Sequence, residues 1–347
     1  MSEFDSGYRF ALKRSMEVTS VFMRIAEGQD SRRPSILRRP QLERSEVVGS
    51  EELVSIGETG RLLSTSLFPQ HAKACRCKDT IDLRETIALE RVKLLLEGDA
   101  QVRWLDLCCG KGSILVHVPS VLPASRSKLV YLGTDFDPSH NKACLRVLRN
   151  RSLKSYFSQV DAITHDAFTM LDRKHGRFDV VTLLNVLHEI PPLRLFELLG
   201  TAIRACKPSG VVVLVDMAEL PHLELGAITW SAEDLRRLLR PVLRRPRPEL
   251  NISDYARTTD VVSVAVRRKW VDAQQLKGAD RKAAFNRNVK AILRDMLKRV
   301  AASITKMVDD NDEENIQPRK AINRDGEFAL ARLLWKCWAI TEILLTE

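Results

Sequence analysis

Apolar positions along this chain follow two different periods. Over residues 80–97 they recur at helical spacing amid charge, as Ile81, Leu83, Ile87, Leu89, Val92, Leu95 and Leu96. Asp79 or Thr80 can cap that helix, and Gly98 ends it. Beyond residue 100, short β-prone apolar runs alternate with helical segments. Strands are predicted at 102–107, 129–135, a short segment ending near 164–166, 178–184 and 211–215, with a last pair near 250–256 and 261–267. Helices are predicted over about 138–150, from Pro191 and Pro192 to about Cys206, and over 231–240, where Ser231 is the cap and Asp234 stands at the third helical position. The alternation predicts an α/β fold with a mostly parallel sheet and helices on both faces. Residues 178–184 are apolar enough for a central strand.

The flanks read differently. Residues 8–27 are amphipathic, with Met16, Val18, Val21, Phe22 and Ile25 at near-helical spacing. Residues 28–50 lose periodicity around Arg32-Arg33-Pro34 and Arg38-Arg39-Pro40, as a linker or exposed loop does. A second helical stretch is expected within 51–69. His71, Cys75 and Cys77 follow, too few for a zinc site, so no metal is expected. A long basic helix is predicted at 273–307, an acidic solvated loop at 308–326 and an apolar final helix at 326–346, which docks on the core or on a second subunit. The expected organisation is thus a helical N-terminal region at 1–97 that can act as a substrate lid, a core at 98–270, and a helical C-terminal extension at 271–347.

The charge balance changes this picture modestly. There are 55 Lys and Arg against 45 Asp and Glu, a net charge of +10 over 347 residues. That excess admits nucleic acid or another acidic partner, but it is spread along the chain as on a solvated surface. The 7 cysteines are odd in number and have no disulfide-like framework, so reduced thiols and a cytoplasmic location are expected. No apolar run reaches the roughly 18 residues of a membrane span.

Candidate chemistry concentrates at Val102–Ser113. An apolar run ends on Asp106, and Cys108, Cys109, Gly110, Lys111 and Gly112 lead into a helix start. Strand, tight turn and helix N-terminus together present backbone N–H groups and a positive dipole end to a ligand. The pattern lacks the dinucleotide fingerprint and the phosphate-loop ending.

Residues 101–268 resemble the class I S-adenosylmethionine-dependent methyltransferases. Asp106, Gly110 and Gly112 match the acid-x-Gly-x-Gly-x-Gly signature, with Cys108 in place of its first glycine. Gly133-Thr134-Asp135 matches the acid ending the second strand, and Asp166 falls where an acid stands near adenine. Lys207-Pro208-Ser209-Gly210 matches the turn before the fifth strand. The resemblance implies a Rossmann-like sheet of seven strands and S-adenosylmethionine as cofactor. It implies that Asp135 takes the ribose hydroxyls, with Asp137 as competitor or helix cap, and that Asp166 accepts from the adenine amino group or caps a turn. It also implies that Phe136 and Ala167, beside those acids, join the cofactor contacts. Backbone groups around Gly110 and Gly112 would take the methionyl carboxylate, while Asp106 orients the ammonium or stabilises the loop.

The run Asn185-Val186-Leu187-His188-Glu189 resembles the acceptor-side segment of small-molecule O-methyltransferases. It implies His188 as general base, or as a side chain packed over the cofactor, and Asn185 near the sulfonium or closing the strand. Glu189 can orient His188, but adjacent residues rarely face each other, so it is expected on the surface. The expected function is methyl transfer to an oxygen of a small molecule. The rivals are a methyltransferase of RNA or protein docked by the basic C-terminal helices, and an inactive cofactor-binding scaffold. No membrane partner is expected, and the C-terminal helices are candidates for a homodimer contact.

Overall fold

The structure is a computed structural model. It describes residues 83–98, 100–124, 129–169, 177–220, 227–243, 252–254, 261–271, 276, 278–312 and positions 333, 336, 337, 339–341, 343 and 344. The helices expected at 8–27 and 51–69, the linker at 28–50, the cysteine stretch at 71–77, the acidic stretch beyond 312 and most of the final helix lie outside the described residues.

The described chain alternates helix and strand. Helix α1 (Leu83–Leu96) precedes β1 (Val102–Leu107), followed by α2 (Ser113–Val121), β2 (Leu129–Asp135), α3 (Pro138–Leu148) and β3 (Phe157–Thr164). Then come β4 (Phe178–Leu184), α4 (Leu195–Ala205), β5 (Cys206–Met217), α5 (Ala232–Leu239), β6 (Ile252–Asp254), β7 (Val261–Arg267) and α6 (Ala279–Asp312). Six strands of six or more residues make the body of the sheet, in the order β3-β2-β1-β4-β5-β7, and the three-residue β6 pairs at the β7 edge. Strands β1 to β5 are parallel neighbours, whereas β7 runs antiparallel to β5 and to β6. The sheet is therefore the mixed, mostly parallel α/β sheet that the alternation predicts.

Strand order reverses between β1 and β4. Right-handed crossovers that step outward from this point in opposite directions put their helices on opposite faces. One face is built from Val102, Trp104, Leu129, Tyr131, Val180 and Val213, buried together with Ile87, Leu89 and Val92 of α1, Ile114 and Leu115 of α2 and Cys144 of α3. Trp104 and Tyr131 are paired in register, and their rings meet edge to face at 4.9 Å. Alternation sends Leu105, Leu107, Val181, Leu183, Val212 and Leu214 to the other face, where all are buried. Each large side chain taken from water contributes about 1.5–3 kcal/mol, so both faces must be covered.

One local feature departs from the simplest reading and another follows it. The turn at Lys207–Gly210 is absorbed into β5 as an irregularity, because pairing with β4 jumps from Phe178↔Cys206 to Val180↔Val211. Gly210 is required there, since a Cβ would stand 2.8 Å from the Phe178 carbonyl oxygen. The helix at 231–240 has the capping box that its sequence announces. Asp234 N–H donates to Ser231 Oγ at 3.2 Å, and Ser231 N–H donates back to Asp234 Oδ2 at 3.4 Å.

The chain divides into two compact units. One comprises Arg76–Leu220 and Thr229–Arg287 and holds the sheet. Residues 76–97, grouped with the N-terminal region on sequence grounds, fall in this unit because α1 packs on α2, β4 and β5. The other comprises Met1–Cys75, Pro221–Ile228 and Asn288–Glu347. Its described part includes a stretch of α6 that buries Val289, Ile292, Leu293, Met296, Leu297 and Val300 and exposes Arg294, Lys298 and Arg299. Among the described residues no helix is long and apolar enough to cross a membrane.

Candidate functional site

The reversal between β1 and β4 opens a crevice beyond the carboxyl ends of the strands, the usual ligand position in open α/β sheets. The turn after β1 forms its floor. Cys108, Gly110 and Gly112 all have left-handed backbones, with φ of 61°, 52° and 78°. Gly112 can hold no side chain, because a Cβ would lie 3.0 Å from Cys144 Sγ at a φ that L-residues avoid. A Cβ on Gly110 would meet nothing within 4 Å, so that glycine faces open space. Cys108 adopts the left-handed conformation with a side chain, at the position where the resembling family has glycine. This costs about 1–2 kcal/mol. Helix α2 begins at once, and its cap residue Gly112 has no side chain to close the helix N-terminus.

The amides of the turn are largely used within it. Cys109 N–H donates to the Thr134 carbonyl at 2.9 Å, Gly110 N–H to Asp135 Oδ2 at 2.9 Å, and Gly112 N–H to the Cys109 carbonyl at 3.0 Å. These bonds tie the turn to the end of β2. They also occupy the Gly110 and Gly112 amides themselves, so of the backbone groups expected around these glycines for a carboxylate, those at the uncapped start of α2 are the neighbours left to consider.

Asp106 lies beneath the turn in a buried polar chain. Trp104 Nε1–H donates to Thr182 Oγ1 at 2.8 Å, Thr182 O–H donates to Asp106 Oδ1 at 2.6 Å, and Tyr131 O–H donates to Asp106 Oδ2 at 3.0 Å. Burial pushes the Asp106 carboxyl up to about 6, against the lowering effect of the two hydroxyls. Asp106 thus links β1, β2 and β4 through side chains.

Asp135 stands at the end of β2, 5% exposed. It accepts from Gly110 N–H through Oδ2 and from Asp137 N–H through Oδ1 at 3.0 Å, and His140 Nδ1 is 3.2 Å from Oδ1. These contacts take three of the roughly four lone-pair directions of a carboxylate. Asp137 is the N-cap of α3, accepting from Ser139 N–H at 2.7 Å. Phe136, between them, is 41% exposed, unusual for an aromatic side chain at a strand end and open to stacking. Asp166 accepts from Phe168 N–H at 2.9 Å in a local turn, with Ala167 buried beside it.

The other wall follows β4 and β5. Asn185, one residue past β4, has φ 54° and donates its N–H to the Val215 carbonyl at 2.7 Å. Its side-chain oxygen accepts from Arg84 Nη1 of α1. His188 is 2% exposed and is held by Asp216 of β5 through two bonds. The His188 backbone N–H donates to Asp216 Oδ2 at 2.9 Å, and Nδ1 lies 2.6 Å from Asp216 Oδ1. A carboxylate only accepts, so Nδ1 carries the proton and Nε2 the lone pair. Glu189 does not simply face solvent as expected. The chain turns here, with Glu189 N–H donating to the Val186 carbonyl at 3.0 Å, and Glu189 Oε1 comes within 3.9 Å of His188 Nε2.

Asp216 is the residue that sequence reasoning left unassigned. Its signal was faint: an acid ending an apolar strand, as Asp106 and Asp135 also do. Nothing local ties it to a histidine 28 positions earlier.

The electrostatics of the crevice converge on Cys108. Burial pushes its thiol well above the ordinary range, and the carboxylates of Asp135, Glu189, Asp106 and Asp166 push the same way. The neighbouring Cys109 thiol is also raised, first by its contact with the Cys144 sulfur and then by burial. Both thiols stay protonated and are poor nucleophiles. Four carboxylates around one small turn instead complement a cation. A sulfonium and an ammonium, both present in S-adenosylmethionine, fit that field, and the open face of Gly110 fits a close ligand approach. Among the described residues no cluster of side chains has the makings of a metal site.

Comparison with known proteins bears on the domain that holds this crevice. Residues 80–246 match a family model described as a methyltransferase domain. An uncharacterized methyltransferase of Synechocystis sp. is 32% identical over 113 residues, which cover 33% of this chain and 46% of that protein. The matched region thus spans about half the length of this curated relative. Among solved structures, the chain is similar to the DszA carbon methyltransferase, with 18% identity, TM-score 0.44, and coverage of 60% of this chain and 61% of that one. It is also similar to a TehB-like SAM-dependent methyltransferase from Corynebacterium glutamicum, with 14% identity, TM-score 0.37, and coverage of 59% and 97%. The family match and the curated relative support a methyltransferase domain at residues 80–246.

Proposed function

We propose that this protein is an S-adenosylmethionine-dependent methyltransferase that methylates an oxygen of a small molecule, with His188 as general base. The observation that carries this reading is the His188–Asp216 pair, with Nδ1 2.6 Å from Oδ1. When bound, S-adenosylmethionine supplies an electrophilic methyl group. The residues of this chain do the rest. Asp216 fixes the imidazole tautomer so that Nε2 can take a proton. A hydroxyl acceptor loses that proton to Nε2 as its oxygen bonds to the methyl carbon and the carbon–sulfur bond breaks. The imidazolium that forms lies between Asp216 and Glu189, whose charges stabilise it. Asp135, Asp166, Phe136 and Ala167 form the adenosine side, and Cys108, Gly110 and Gly112 form the floor. Asn185 borders both sides.

The direct experiment is incubation with methyl-labelled S-adenosylmethionine and fractionated cell extract. Label should move to a small-molecule fraction, and the product should be a base-stable methyl ether or an alkali-labile ester. Label in macromolecules alone would set this reading aside.

A second reading is favoured by one feature. On α6, Arg294 and Lys298 are exposed, and their spacing of four residues puts them on one helical face. That row suits an RNA acceptor, and RNA binding that falls steeply with salt would favour it.

A further inference from the structure

The crevice has an unbalanced charge. The carboxylates of Asp135, Glu189, Asp106 and Asp166 all act on Cys108, and that negative field suits the two cationic centres of S-adenosylmethionine. The same molecule carries an α-carboxylate, which four acids repel. The amides of Cys109, Gly110 and Gly112 do not answer that charge, because they already donate to Thr134, Asp135 and Cys109, and the uncapped start of α2 offers only partial charges. Lys111, in the same turn, is exposed. An exposed ammonium on a flexible stem contributes little.

Helix α1 brings a cation to the crevice from another direction. It precedes β1 through a connection of five residues, and its first turn reaches the carboxyl end of β4, where Arg84 Nη1 donates to Asn185 Oδ1. Arg84 is half-buried. Asn185 is a firm anchor for it, since its backbone is fixed by the bond to Val215 and turned into the left-handed region at φ 54°. That conformation is one the short amide residues tolerate better than most. A guanidinium is a planar fork of five donors that stays charged at any working pH and matches a carboxylate with two parallel bonds.

We propose that Arg84 is a cofactor-binding residue that takes the α-carboxylate of S-adenosylmethionine, and that Asn185 positions its guanidinium. The assignment rests on the cofactor reading above and deepens it. It also gives α1 a role at the methionyl end of the site. Arg84 answers the one negative group of the ligand while the acid cluster answers its positive ones.

The test uses the full chain and two ligands that differ in a single group: S-adenosylmethionine and its decarboxylated form. In calorimetry, Arg84→Ala should weaken S-adenosylmethionine by about tenfold or more, the scale of a lost charged hydrogen bond. It should leave the decarboxylated ligand nearly unchanged. Asn185→Gly keeps the left-handed backbone and removes the amide acceptor, so it should give a smaller loss with the same ligand selectivity. Thermal melts check that each variant is folded. Equal losses for both ligands, or no loss for either, overturn the assignment. Unchanged cofactor affinity with a raised KM for the methyl acceptor also overturns it and moves Arg84 to the acceptor. If neither ligand binds the unmutated protein, the cofactor reading itself fails, an outcome distinct from lost selectivity in the Arg84 variant.

Discussion

The two walls of the crevice are built by different means. On the β1–β2 side the turn is held by its own backbone and by the residues that end the neighbouring strand: Gly110 to Asp135, Cys109 to Thr134 and Gly112 to Cys109. On the β4–β5 side the key contact is between two side chains 28 positions apart, His188 and Asp216, brought together because β4 and β5 lie in parallel register with Leu184 opposite Val215. The first wall is held by backbone amides of the turn, and at Gly112 a side chain is excluded. The second is a side-chain structure that borrows its geometry from the sheet. Damage to the turn should therefore appear as lost stability and cofactor affinity, and damage to the His188–Asp216 pair as lost turnover.

The largest effect should separate them cleanly. Asp216→Asn keeps the side-chain shape but leaves one acceptor oxygen where His188 N–H and Nδ1–H need two, so an amide NH2 facing Nδ1 reverses the His188 tautomer. Turnover should fall by about a hundredfold or more, while calorimetric affinity for S-adenosylmethionine stays within about twofold. His188→Ala should match it, and the double variant should be little worse than either, since the pair acts as a unit. Additive losses would show that Asp216 works independently of His188.

Gly112→Val strikes the other wall. The left-handed φ and the contact with Cys144 each oppose a side chain, so stability should drop by about 2–5 kcal/mol in denaturant unfolding. A smaller loss, under about 1 kcal/mol, would mean that α3 yields easily and that the turn is not rigid.

Thr182→Val tests the layer beneath. It leaves Trp104 Nε1–H and Asp106 Oδ1 without their shared partner and should cost about 1–3 kcal/mol. The same layer has a pH signature. Asp106 titrates at about 6 in the folded chain against 3.8 ordinarily, so the folded state holds its proton more tightly. Its contribution to stability is greatest below 3.8, falls as pH rises from 3.8 to about 6, and is level above that. Asp106→Asn should remove that slope from a plot of unfolding free energy against pH.

The smallest expected effect has the opposite sign. Cys108→Gly relieves a left-handed backbone and should stabilise the chain by up to about 1 kcal/mol, less the unfolded-state entropy that glycine adds. Destabilisation instead would show that the Cys108 side chain holds the turn by contacts that outweigh its strain.

These tests also divide what could be read from one sequence from what could not. Strand and helix positions followed from apolar spacing because burial on both faces of a parallel sheet leaves a local record: the runs at 102–107, 129–135 and 178–184 match β1, β2 and β4. The cap at Ser231 was legible because a capping box spans only four residues. The glycines at 110 and 112 announced a turn, since few other residues accept its backbone. Which amides remain open in that turn was not legible. It depended on Asp135 arriving from β2. Glu189 is partly exposed yet approaches His188, because the rule that adjacent side chains point apart does not hold where the chain turns.

Sequence alone therefore determined the elements, their order and the chemistry-bearing residues near each strand end, because these are set by interactions between positions close in the chain. Tertiary structure alone decided the pairings: Asp216 with His188, Arg84 with Asn185, and Asp106 with both Tyr131 and Thr182. Each joins elements that meet only after the sheet forms. Hydrogen-bond partners across a sheet are fixed by strand order and register, quantities that no local pattern encodes.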